Sequence, residues 1–280
     1  MKASARLVAE ARPDGTTRLT TLVGQAPLLL RQTRPDDDSA AAQVHLVGGA
    51  AGPIGGDQLR LSLHLGPGAR LRVHSVAASI ALPGPQPCES TLDISVRIEA
   101  GASLTWHPEP LIAAQGARHR TTVRVEMAED ARLTWHEQTL LGRHGEQPGS
   151  AATRLRVRRA DRPLLDHTLA VGPHHPGSLG PAVTGNARAN ATILIVDPTW
   201  TRTPPADRRT LAPRDDAQGA IAVLPLEAPA ILISALAPDG LALASLLAQP
   251  LQDRPSDPTR LGSRRGPTED DRHPIVGIRV

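Results

Sequence analysis

Phenylalanine and tyrosine are absent from this chain, and only Trp106, Trp135 and Trp200 supply aromatic mass. A core must therefore be assembled from Leu, Val, Ile and Ala. Recognition of single-stranded nucleic acid by base stacking needs aromatic platforms, of which the chain has almost none, and that reading is weakened. Lysine is nearly missing as well: Lys2 stands alone among arginines, and a formal charge of +3 calls for no polyanionic partner. A single cysteine, Cys88, rules out an intrachain disulfide and a Cys-rich zinc site and suits a reducing compartment. No stretch reaches the roughly 20 apolar residues of a membrane span, and MKASARLVAEARPDG lacks the apolar run of a secretory signal, so the predicted location is the cytoplasm. P-loop, G-x-S-x-G and H-E-x-x-H patterns are also lacking, and no catalytic constellation stands out.

What the chain does have is 24 glycines and 27 prolines that punctuate short apolar runs throughout its 280 residues, the pattern of many short strands. Strands are predicted at Thr17–Leu22, Leu28–Thr33, Val44–Val47, Arg154–Arg158, Leu164–Val171, Ile193–Val196, Ala220–Leu224 and Ile231–Ala235. One helix is predicted, with Asp239 as N-cap of GLALASLLAQ and Pro250 as its stop. Three polar, Pro-rich stretches read as mobile: the ten residues from Arg34, the segment from Thr201 to Gly219, and the tail from Gln252.

Six further strands come from one paragraph written three times. LSLHLGPGARLRVHS begins at Leu61, ISVRIEAGASLTWHP at Ile94 and VRVEMAEDARLTWHE at Val123, with Ala69, Ala102 and Ala131 in register at separations of 33 and 29 residues. Units of this size cannot bury an apolar face alone and must pack on one another. The predicted fold is mainly β: stacked β-hairpin units forming a β-helix-like or barrel-like scaffold with a few short helices. Residues 1–249 read as a single β domain and 250–280 as a polar, disordered tail.

Each repeat ends in a histidine, and alternation puts His74, His107 and His136 on the polar face. Were the repeats neighbours in one sheet, the imidazoles would lie about 5 Å apart, within reach of a shared nickel or zinc ion, or would form a solvent-facing ladder. GGAAGPIGGDQ, with Gly55 and Gly56, leads into a strand and presents Asp57, as a turn carboxylate or as a ligand for a cation. In WHEQTLLGRHGE, Glu137, Gly142, Arg143 and Glu146 read as a solvated loop with ion pairs, and paired carboxylates would alternatively suit acid–base chemistry. GPHHPG places His174 and His175 in a surface turn.

Taken in order, GGAAGPIGGDQLRLSLHLGPGARL, the second and third repeats, and the following LGR and GE elements resemble the UreD (UreH) family of urease accessory proteins; TTRLTTLVGQAPLLLRQ looks like that family's opening strands. The resemblance runs from about Thr16 to Leu246 and implies a nickel-insertion chaperone without catalytic activity of its own. It would act as scaffold and nickel conduit between apo-urease and UreF-like and UreG-like partners, nucleotide hydrolysis being left to the latter. No cofactor would be tightly held, nickel would be bound transiently, and neither nucleic acid nor membrane would be a partner. Matched residue by residue, Asp57 and Glu137 become the first candidates for nickel stations, followed by Glu146, His74, His107 and His136. Gly55, Gly56, Gly142 and Arg143 fall in motif positions that would form a partner surface. Aliphatic or aromatic residues are usual in that family where His107 and His136 stand. Two readings from other classes remain open: a His-ligated, metal-dependent hydrolase on a β-scaffold, and a repeat-built protein-binding module.

Overall fold

A computed structural model describes residues 1–35, 40–185, 187–200, 209–211 and 219–248. Most of the mobile stretch expected after Thr201 and the whole tail from Gln252 lie outside these, as does Pro250. The chain runs through β1 (Lys2–Ala11), β2 (Thr17–Gly24), β3 (Leu28–Thr33), β4 (Ala42–Gly48), β5 (Gln58–Leu65) and β6 (Arg70–Ser75). There follow β7 (Ser79–Ala81), β8 (Ser90–Ile98), β9 (Ser103–His107), β10 (Leu111–Ala113), β11 (Arg118–Met127) and β12 (Arg132–Leu141). The last third adds β13 (Ser150–Arg159), β14 (Arg162–Val171), β15 (Ala189–Val196), β16 (Arg209–Leu211), β17 (Ala220–Pro225), β18 (Ala230–Ala237) and the helix α1 (Gly240–Leu247). None of the described helices is long and apolar enough to cross a membrane.

Two sheets face one another. The first has the order β14-β13-β11-β8-β5-β1-β2 and the second β16-β17-β18-β15-β12-β9-β6-β4-β3. Within each repeat the turn carries the chain from the first sheet to the second, so its two strands belong to different sheets. Hydrogen bonding runs between copies instead: β5, β8, β11 and β13 pair in parallel in the first sheet, and β4, β6, β9 and β12 in the second. The units are therefore coils of a β-solenoid-like stack. The β-helix-like form of the prediction describes the molecule, with arches in place of hairpins.

Corners are built alike. Ala69, Ala102 and Ala131 are fully buried, and the Ala69 and Ala102 carbonyls accept from the Ser103 and Arg132 amides at 2.9 Å each, which stitches successive corners together. Gly68 and Gly101 have φ of +69° and +65°, a left-handed conformation that tightens the turn and that glycine adopts without strain. Inward residues of the three copies form one aliphatic core, including Leu61, Ile94 and Val123 from the first sheet and Leu71, Leu104 and Leu133 from the second. Trp106 and Trp135 occupy the same place in consecutive coils and stack with ring centroids 4.7 Å apart. A second cluster covers the outer face of the second sheet, where α1 buries Leu243 and Leu247 against β15 and β18. Asp239 caps α1 as expected, its Oδ1 accepting from the Ala242 amide at 2.8 Å.

Strand positions from Thr17 onward match the sequence reading, with four additions (β1, β7, β10 and β16) and two corrections, at β4 and at β16, which pairs with β17 inside the stretch expected to be mobile after Thr201. β1, unforeseen, sits between β2 and β5, its inward positions Ala3, Ala5, Leu7 and Ala9 all buried; alanine carries little strand signal. The short β7 and β10 pair with each other, and β10 also joins β12. Ala42 and Gln43, expected in a mobile stretch, begin β4, while residues 36–39 of that stretch lie outside the described part. Because a corner alanine has a neighbouring coil on either side, Ala102→Leu overpacks the stack. Urea denaturation should show a loss of about 1–3 kcal/mol for it and little change for the exposed Arg97→Gln.

Candidate functional site

At one end of the stack the inward-facing positions stop being aliphatic. In β12, Leu133 and Trp135 point between the sheets, and the same parity carries Glu137 and Thr139 inward. Register places Glu137 opposite Thr192 and Thr139 opposite Asn190 on β15. From the first sheet, His119 and Thr121 of β11 and Thr153 of β13 occupy the corresponding inward positions, with Thr121 opposite Thr153. Of these, His119, Thr121, Glu137, Thr139 and Thr153 border a cavity of about 520 Å³ that opens to solvent and whose apolar part is lined by Leu61, Ile94 and Trp106. Its rim includes Ser75, Ser79, Glu109 and Arg143. A small cavity of about 10 Å³ continues past Glu137, Thr139 and Thr153, which line both, toward His167 on the edge strand β14.

Glu137 is the chemically unusual group here. Protein encloses its carboxyl while leaving it in contact with the cavity, and burial pushes its pKa up to about 7. The Trp135 indole N–H, on the same face of the strand, is a buried donor without a hydrogen-bond partner among the described residues. His119 is buried and held neutral by desolvation, its pKa lowered to about 4. Its Nδ1 lies 2.8 Å from Ser90 Oγ and its Nε2 3.1 Å from Thr121 Oγ1, so both ring nitrogens are engaged. The site thus offers a carboxylate and neutral oxygen donors, a set that binds a divalent ion weakly and releases it readily.

The remaining sequence candidates lie elsewhere. Asp57 is buried and does not line the cavity: Oδ1 accepts from the Met1 α-amino group at 2.8 Å and Oδ2 from the Ile54 amide at 2.9 Å. It ties the glycine loop to β1. Gly55 is packed against Gly84, where a Cβ would come within 2.6 Å of the Gly84 nitrogen, and Gly56 has a φ of +92°. Glu146 is a loop carboxylate bound by the Arg143 guanidinium and by the Arg143 and Gln115 amides, which lower its pKa to about 2. Gly142, with φ +82°, shapes that turn. The pairing of Arg143 with Glu146 matches the expected surface network, but Glu137 is not part of it: it is a strand residue facing inward, where alternation along β12 places it. His174 and His175 occupy a turn, as expected, with His174 Nδ1 3.1 Å from Ser150 Oγ.

His74, His107 and His136 do fall in one ladder, on the sheet face opposite the cavity, and His45 of β4 extends it to four. Ring centroids are 5.6, 6.0 and 4.3 Å apart from His45 to His136. Burial lowers the pKa of His74, His107 and His136, and the adjacent imidazoles add to the shift at His74 and His136, the latter reaching about 3. Among the described residues no group of three or more His, Cys, Asp or Glu side chains is arranged to hold a metal ion.

Several site residues were not singled out from sequence. His119 could have been found, since in RHRTTVRVEM it shares parity with Val123 and Val125 and so belongs to the core face. Asn190 and Thr192 share parity with Leu194 and Val196 in the same way. His45 gives no signal, because its strand lies outside the repeat.

Burial of ionisable groups gives stability a definite pH profile. Glu137, with a raised pKa, contributes stability below about pH 4.5 that is lost as pH rises through 7; His119 and His136, with lowered values, contribute above 6.5 and lose it as pH falls toward 4 and 3. Denaturation across pH should therefore show Glu137→Gln gaining on the parent between pH 4.5 and 7, by a total on the order of 3 kcal/mol. His136→Leu should flatten the acid limb.

A model of the UreD urease accessory protein family matches residues 1–257. The chain is 42% identical over 259 residues to the Streptomyces griseus protein named urease accessory protein UreD 3, covering 90% of this chain and 96% of that one. It is 42% identical over 248 residues to urease accessory protein UreD of Streptomyces coelicolor, with 88% and 94% covered. Against the protein of that name from Frankia casuarinae, identity is 37% over 281 residues, with 89% and 88% covered.

Proposed function

This chain belongs to the UreD family of urease accessory proteins, with a role in urease maturation, and on that premise we propose that it is a cytoplasmic, non-catalytic nickel-insertion chaperone. It would bridge apo-urease and UreF-like and UreG-like partners, with nickel as cargo and no resident cofactor. Family membership carries the chaperone reading. The conduit reading rests on the cavity between the sheets and on Glu137 at its polar end.

Among the described residues, nickel moving between the sheets would meet no thiolate and no free imidazole before Glu137, only hydroxyl, amide and carboxyl oxygens. Such donors suit a station that must let go, since imidazole and thiolate hold nickel more tightly. A carboxyl with a pKa near 7 adds a proton to the exchange: a cation bound there displaces the proton, so loading strengthens as pH rises through neutrality. Thr139, Thr192 and Asn190, adjacent in register, would supply oxygen donors beside it. Arg143 at the rim, paired with Glu146, would shape the mouth and a partner surface with Gly142. Asp57, with Gly55 and Gly56, would hold that end of the stack in shape. The histidine ladder lies outside this path and would be at most a separate, weak nickel surface.

The hydrolase alternative requires about three protein ligands around a metal with one position left open, and the ladder supplies no such cluster among the described residues. Elemental analysis of purified protein should find metal well below one equivalent; a stoichiometric, dialysis-resistant zinc would overturn the chaperone reading. In cells reconstituted with the urease operon, Glu137→Ala should lower urease activation by roughly tenfold or more while partner co-purification is retained. Normal activation by that variant would remove the conduit, and normal nickel loading in cells lacking this chain would remove the accessory role itself.

A further inference from the structure

The outer face of the first sheet bears an arginine on nearly every strand, and most are already engaged. Arg154 and Arg156 both bond Asp166, at 2.8, 2.7 and 3.2 Å. Arg97 bonds Glu99 at 2.7 Å and Arg120 bonds Glu89 at 2.8 and 3.2 Å. Arg6 and Arg60 differ: among the described residues neither makes a hydrogen bond or an ion pair within 4 Å, although register sets Arg60 beside Asp93.

Register explains what stands around them. Arg6 on β1 lies opposite Ser62 on β5, Ser62 opposite Ser95 on β8, and Ser95 opposite Arg124 on β11. Two short side chains thus lie between two long ones, in a row spanning three strand spacings, about 14 Å. The result is a depression of about 600 Å³, with Arg60 in its side wall. Asp93 is the one acidic residue lining it; its contact with Arg124 is 3.7 Å long between side chains 55% and 47% exposed, an ion pair of little net strength. Three guanidinium groups against one carboxylate leave a local excess of positive charge. At its edge, opposite Arg6 on β2, Val23 is 59% exposed, one of the few large aliphatic side chains left to solvent.

We propose that this depression docks an acidic segment of a partner protein, with carboxylates on Arg6 and Arg60 and an aliphatic side chain against Val23. Guanidinium forks match carboxylates bidentately, and the row is wider than a single oxyanion such as phosphate. Because the arginines project from central strands of a sheet, their backbone costs no ordering on binding. The inference goes beyond the nickel path: Arg6, Ser62 and Ser95 face away from the cavity, so either can fail alone.

Fluorescence anisotropy on the full chain, with a labelled peptide of alternating glutamate and leucine, tests it. Arg6→Gln/Arg60→Gln should weaken binding by roughly tenfold or more, and Ser95→Glu, which places a carboxylate in the depression while keeping every arginine, should do the same. Arg154→Gln/Arg156→Gln, on the same face, should bind as the parent does, with circular dichroism confirming the fold of each variant. Unchanged affinity in the first two variants, or equal loss in the third, would overturn the proposal. Displacement of the peptide by an equal concentration of inorganic phosphate would also overturn it, reducing the depression to a small-oxyanion site.

Discussion

Everything in this molecule depends on parallel, in-register hydrogen bonding between successive coils. A strand that pairs in parallel with its own copy places identical sequence positions side by side at about 4.8 Å. What one coil has, the sheet then has as a row. Alanines meet alanines at the corners, Trp106 meets Trp135 in the core, and His74 meets His107 on the outer face. The same rule forbids bulk at the corners and demands aliphatic residues at every second position. The chain builds its core in this way without phenylalanine or tyrosine: rows of Leu, Val and Ile pack between the two sheets.

The rule relaxes at one end, and there the interior turns polar. His119, Thr121, Glu137, Thr139, Thr153, Asn190 and Thr192 occupy positions that in the rest of the stack would be aliphatic. Some of that cost is offset by internal bonds, as where His119 is held by Ser90 and Thr121. Some is not: among the described residues the Trp135 indole N–H has no partner and Glu137 has no counter-ion, and burial raises its pKa. A core selected for stability alone would not retain these groups beside a cavity. Their concentration at one end marks where the fold gives up stability for chemistry.

Much of this was legible in the sequence, for reasons that can be located. The repeats declared the stack because Ala69, Ala102 and Ala131 keep register across three copies, and from that the histidine row follows. The arch was not legible, since a tight turn between alternating strands reads equally as a hairpin; only the partner strands decide. β1 was hidden by its alanines, which are buried at inward positions but carry little strand signal. The inward orientation of Glu137 was available from parity with Leu133 and Trp135, yet the charged GRHGE that follows pulled the reading toward a solvated loop. Asp57 and Glu137 read as one chemical pair; in three dimensions the first anchors the α-amino end of β1 and the second lines the cavity. Separation along a chain does not encode which carboxylate finds a cation of its own.

Strand alternation also fixes how the distinct features relate. Glu137 and the rows beside it face inward, the histidine ladder faces outward from the second sheet, and the unpaired arginines face outward from the first. Adjacent residues of one strand thus serve different faces: His136 lies in the ladder and Glu137 in the cavity, just as Leu61 lines the core and Ser62 floors the depression. A substitution on one face leaves the backbone ladder, and hence the other face, in place. In a two-sheet stack, cargo handling inside and partner contact outside can therefore change independently, and a protein that must grip several partners while releasing an ion is well served by that separation.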